Sequence, residues 1–127
     1  MVIAARVGVA LLGALFLVIG AGLIFNTSDA AADLGLPNMM AAGYGTVRAD
    51  IAGFFLGGGL ISVVASFRKD ASLLWPVQLL VLLALAGRVF TLVVDGPVAA
   101  GLMSMGVEVA ILVLLLWAKR VWQQAPI

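Results

Sequence analysis

Residues 7–25 read Val7-Gly8-Val9-Ala10-Leu11-Leu12-Gly13-Ala14-Leu15-Phe16-Leu17-Val18-Ile19-Gly20-Ala21-Gly22-Leu23-Ile24-Phe25, without a single charged side chain. A helix rises about 1.5 Å per residue, so roughly 20 such residues cover the hydrocarbon core of a bilayer. Backbone N–H and C=O groups find no water there, which confines a spanning segment to a helix or a closed barrel. Barrel strands alternate polar and apolar residues, and this stretch does not. It is therefore expected to be a transmembrane helix. Three later stretches, about 47–67, 73–94 and 98–118, read the same way. The fold expected is an all-α, integral membrane four-helix bundle forming a single domain over residues 1–127.

Composition agrees. Of 127 residues, 65% are hydrophobic and 10% charged, with a mean hydropathy of +1.25. A soluble domain carries about 25% charged residues to keep its surface wet. The net charge of +1 offers no basic patch for phosphates, so nucleic acid is not an expected partner. With no cysteine or histidine, the chain lacks thiolate nucleophiles, imidazole acid–base chemistry and the usual zinc, haem or copper ligands. No cofactor, metal site or catalytic residue is expected, and the lipid bilayer is the one partner the composition demands.

The polar punctuation falls between the spans. Asn26-Thr27-Ser28-Asp29 is expected to end the first helix, and Leu36-Pro37-Asn38 and Gly43-Tyr44-Gly45 to break the segment after it. Arg68-Lys69-Asp70 and Asp95-Gly96-Pro97 read as turns. Arg6, Arg68, Lys69, Lys119 and Arg120 all fall on one side of a four-span chain, whereas Asp29, Asp33 and Asp95 fall on the other. The positive-inside rule then predicts that both termini are cytoplasmic. Trp75, Trp117 and Trp122 fall at the same interface. Arg6 followed by an apolar stretch and Ala30-Ala31-Ala32 also looks like a secretion signal, but the stretch exceeds the ~7–15 apolar residues of such signals, and no cleavage is expected.

Ionisable residues inside the spans carry the functional question. A charge at the centre of a spanning helix costs about 2.5–3.5 kcal/mol on insertion scales, so it faces the protein and finds a partner. Arg48 and Asp50 fall in the first outer turn of the second span, Arg88 two turns below the outer end of the third, and Glu108 ~15 Å down the fourth. Helical spacing puts Asp50, Gly53 and Gly57 on one face, Arg88, Thr91 and Asp95 on another, and Gly101, Ser104 or Met105, and Glu108 on a third. Gly53, Gly57 and Gly101 are then expected to let the helices pack closely, with Arg88 bridging Asp50 and Glu108. Arg48, Asp50, Arg88, Asp95 and Glu108 form the expected charge cluster. It serves either as a clamp that fixes which helices touch or as a polar pocket open to the outer face. Gly57-Gly58-Gly59 lies in mid-span without a following Lys-Ser/Thr, so it predicts tight packing or a kink and not a phosphate loop.

The stretch Val47-Arg48-Ala49-Asp50-Ile51-Ala52-Gly53-Phe54-Phe55-Leu56-Gly57, with Ala86-Gly87-Arg88 and then Asp95-Gly96, resembles small bacterial four-helix membrane proteins catalogued as domain of unknown function 4345. The resemblance covers about residues 5–118. It implies a multi-pass protein of the bacterial inner membrane with charges at these positions, and it implies no activity.

The function expected from the residues is a non-enzymatic accessory or scaffold subunit held by an intramembrane charge clamp. Glycine-rich faces not used internally could serve a homo-oligomer or a larger membrane complex. The alternative is a carrier or ligand-binding protein for a small solute, ion or proton, in which Arg88 holds an anionic group and Glu108 takes up a proton. A lipid-modifying enzyme would have only Tyr44, Asp50 and Glu108 to work with.

Overall fold

Helix formation satisfies every backbone group within each apolar stretch, and the computed structural model, which describes residues 1–125, contains helices and turns and no strand among those residues. Its helices are α1 (Val2–Phe25), α2 (Thr27–Asp33), α3 (Ala41–Thr46), α4 (Ala52–Arg68), α5 (Leu74–Asp95) and α6 (Ala99–Gln124). A π-helical turn over Val47–Ile51 joins α3 to α4 without a break, and a 3-10 turn over Ala71–Leu73 leads into α5. Four segments are long and apolar enough to cross a membrane: Val2–Phe25, Ala41–Arg68, Ala71–Asp95 and Ala99–Gln124.

The real break after the first span lies later than the sequence suggests. α1 does stop at Phe25, where the Asn26 N–H closes the last turn on the Gly22 carbonyl. Thr27 then opens α2 at once, and its hydroxyl donates to the Ile24 carbonyl at 3.2 Å. The chain leaves helix only over residues 34–40, where Gly35 (φ +83°) and Asn38 (φ +55°) turn left-handed around Pro37. Gly43-Tyr44-Gly45, expected to be a break, sits inside α3. Each glycine costs a helix about 1 kcal/mol, but Tyr44 packs on the buried cluster of Leu23, Ala31, Val47 and Ala52, and the helix runs unbroken into α4.

α1 and α4 make the closest helix pair, and glycine allows it. A Cβ built on Gly13 would lie 2.9 Å from the Gly59 carbonyl oxygen, and one built on Gly59 would lie 2.9 Å from the Gly13 carbonyl oxygen. One turn-pair away, a Cβ on Gly20 would meet Leu56 at 2.7 Å. Backbone against backbone leaves no room for a methyl group. The glycines expected to do this work do not: Gly53, Gly57 and Gly101 would each place a Cβ in open space. Three successive glycines, Gly57-Gly58-Gly59, present three different faces, and only Gly58 and Gly59 look toward α1.

The four long helices pack as a ring, α1 against α4, α4 against α5, α5 against α6 and α6 against α1. At one end the ring is closed by a core that includes Ala5, Leu12, Leu74, Val77, Leu115 and Trp122. Arg6 Nε donates to the Ser66 carbonyl at 3.0 Å, and Lys119 Nζ stands 5.9 Å from the centre of the Trp75 ring. The N-terminus, the α4–α5 turn and the end of α6 thus share this basic end. At the other end the ring opens. The buried residues of α5 all fall between Leu74 and Val81, and those of α6 between Leu115 and Trp122. Beyond those points α5 and α6 lean on each other while α1 and α4 keep their own cluster.

Large apolar side chains cover the outside of the ring: Ile3 is 75% exposed, Val18 70%, Phe67 73% and Val93 78%. A water-soluble surface does not carry so continuous an apolar coat.

Candidate functional site

The gap between the two helix pairs at the open end is a cavity of about 620 Å³. α1 contributes Leu15, Phe16 and Ile19, and the segment after α2 contributes Leu34 and Leu36. The π-turn and α4 contribute Asp50, Ile51, Phe54 and Phe55. α5 supplies Val81, Ala84 and Arg88; α6 supplies Met103, Ser104, Val107, Glu108 and Ile111. The walls are apolar except for three ionisable groups and one hydroxyl.

Those three groups are not equivalent. Arg88 Nε donates to Glu108 Oε1 at 2.7 Å, a charge-assisted bond across the α5–α6 pair. The Arg88 side chain is 42% exposed and that of Glu108 13%. Glu108 Oε2 is buried with no hydrogen-bond partner among the described residues. Asp50 lines the same cavity from the opposite wall, yet among the described residues its carboxylate has neither an ion-pair nor a hydrogen-bond partner. The expected bridge from Arg88 to both acids is thus half formed: Arg88 meets Glu108 and not Asp50.

The remaining members of the expected cluster lie elsewhere. Arg48 Nε donates to Thr27 Oγ1 at 2.8 Å, which ties the π-turn to the start of α2 outside the cavity. Asp95 ends α5 on the exposed surface and does not line the cavity. Gly101 lines a second, much smaller cavity of about 60 Å³ between α5 and α6, together with Thr91, Gly96, Val98 and Met105. Arg88 borders both cavities and forms part of the wall between them.

Sequence reasoning passed over the aromatic wall. Phe16, Phe54 and Phe55 form a trio, with ring centroids 5.2 Å apart for Phe16–Phe55 and Phe54–Phe55, both nearly perpendicular, and 6.2 Å apart for Phe16–Phe54. Edge-to-face packing of this kind holds each ring in place. Phe54 and Phe55 gave no usable signal, because the π-turn at Val47–Ile51 upsets any uniform helical step from Asp50. Phe16 gave none, because α1 is apolar on every side.

Ser104 adds little donor capacity, since its hydroxyl is bonded to the Ala100 carbonyl at 3.0 Å. Its free lone pairs, the two carboxylates and the guanidinium form the polar side of the site. The arrangement suits a ligand with an apolar body and one polar head. Comparison with protein-family models, with curated proteins and with solved structures finds no match, so the chemistry of this site rests on its own residues.

Proposed function

We propose that the chain is a membrane-spanning ligand-binding protein that takes a small amphiphilic molecule into the cavity at the open end of its bundle. The observation that carries this reading is a cavity of about 620 Å³, apolar-walled, with an unpaired carboxylate, Asp50, opposite an ion pair. Pockets that hold drug-sized ligands run roughly 300–1,000 Å³ and have this mixture of apolar walls and few polar groups. The apolar coat and the four long helices support a bilayer location. The basic end, with Arg6, Arg68, Lys69, Lys119 and Arg120, supports cytoplasmic termini, so the cavity would open toward the outer leaflet. The resemblance to small bacterial four-helix proteins supports the inner membrane as its place.

Ala84 tests the reading. It lies on the cavity wall at a half-buried position. Ala84→Phe should fill part of the space and abolish ligand binding in lipid nanodiscs while leaving helical content intact. Unchanged binding in this variant would refute the cavity as the site.

The scaffold reading keeps one observation in its favour. The Arg88–Glu108 bond pins α5 to α6 where neither helix has buried apolar contacts to hold it. If no ligand enters the cavity and loss of this bond chiefly lowers the folded yield, the chain is a structural subunit with a clamp.

A further inference from the structure

Resting on the ligand-binding reading, the charge balance of the cavity assigns the chemical class of the head group: we infer that the cavity of Asp50, Glu108 and the Phe16–Phe54–Phe55 wall takes a lipophilic monovalent cation. Three ionisable groups line the space. Counted at their formal charges, Arg88 and Glu108 cancel in their 2.7 Å pair, and Asp50 leaves one negative charge that no other group lining the cavity balances. Asp50 is an exposed residue of the lining, so a ligand in the cavity can reach its carboxylate, and one positive charge from that ligand would make the lining neutral.

The geometry favours the same sign. The unpartnered acceptors on the cavity are carboxylate oxygens, those of Asp50 and the buried Oε2 of Glu108. Only Nε of Arg88 is engaged by Glu108, but that carboxylate already balances the guanidinium. An anionic head would add a further negative charge to a lining that already carries two carboxylates. Asp50 and the aromatic trio line the same cavity, so a positive centre carried by a ligand in that space has both a carboxylate and aromatic rings among its walls. Aromatic faces attract cations and shelter apolar substituents, which suits a positive centre carried in an apolar body.

Tetraphenylphosphonium and tetraphenylborate provide the test, because they match in size and apolar surface and differ in charge. Triphenylphosphine oxide serves as the neutral counterpart. Each is titrated against the full chain in nanodiscs, with protein-free discs and the Ala84→Phe variant as baselines. Tetraphenylphosphonium should bind above both baselines, and tetraphenylborate should not. Asp50→Asn should weaken the cation about tenfold without weakening the neutral compound, whereas Asp50→Glu should restore cation binding. Tighter binding of the anion or of the neutral compound would overturn the cation assignment while the cavity remained a ligand site. So would a cation affinity indifferent to Asp50→Asn. If none of the three binds above the baselines, the ligand-binding reading itself falls, and the assignment with it.

Discussion

Arg88 is held to Glu108 through one nitrogen, and the other oxygen of that carboxylate is buried without a partner. Removing the guanidinium would therefore strip Glu108 of its only counter-charge among the described residues. Arg88→Met should lower stability by about 2–3 kcal/mol and reduce the folded yield, and adding Glu108→Leu should recover most of it. Thermal unfolding of the single and double variants in detergent checks this; equal losses in both would show that the pair has no clamping role. A second carboxylate matters at the opposite end. Ser72 donates its hydroxyl at 2.6 Å and its backbone N–H at 2.9 Å to Asp70 Oδ1. The hydroxyl bond, and then the backbone bond, hold the Asp70 carboxyl below the ordinary carboxylate range. A depressed carboxylate favours the folded turn at neutral pH, and this support is lost as the pH falls through the lowered value. Hydrogen exchange at Ser72 and Leu73 should accelerate only on the acid side of the usual carboxylate range, and Asp70→Asn should flatten that dependence.

Among the elements, the α1–α4 pair depends most on what is missing from it. Gly13 and Gly59 place each other's carbonyl oxygen 2.9 Å from where a Cβ would stand, and backbone atoms cannot swing aside as a side chain can. Gly13→Ala and Gly59→Ala should each cost about 1–3 kcal/mol by forcing the helices apart. Gly57→Ala, on an open face of the same helix, should be neutral or stabilise by about 0.5–1 kcal/mol through helix propensity alone. Unfolding of the three variants side by side separates packing from propensity. The π-turn over Val47–Ile51 is the second element with consequences. An extra residue in one turn rotates everything before it relative to everything after it. Face assignments drawn at a uniform helical step across Asp50, Gly53 and Gly57 therefore fail, and Asp50 reaches the cavity without meeting Arg88.

The whole molecule is a ring of helices sealed at its basic end and parted at the other. On the ligand-binding proposal this polarity sets the side of entry, so the orientation in the membrane is the measurement that gives the cavity a side. The chain has no cysteine, which makes single-cysteine labelling clean. In whole cells an impermeant maleimide should label Asp33→Cys and leave Lys69→Cys unlabelled until the membrane is opened. The reverse pattern would put the cavity on the cytoplasmic side and the basic end outside.

Much of this was legible in the residues. Four apolar stretches can only be helices where water is excluded, and charges as costly as Arg88 and Glu108 declare themselves by lying inside such stretches. That Arg88 would meet an acid followed from its cost inside a span, but which of Asp50 and Glu108 it meets did not. Which of fifteen glycines touches a neighbour was not legible, because glycine has no side chain to mark a face, and Gly57-Gly58-Gly59 offers three faces at once. Nor was the cavity. An apolar residue reads the same whether it packs on a helix, lines an empty space or meets lipid. The sequence by itself determined that the chain is built of four long apolar helices with charges inside three of them. The tertiary structure alone decided that the helices part at one end, leaving Asp50 without a partner, since a void is a property of how surfaces fail to meet.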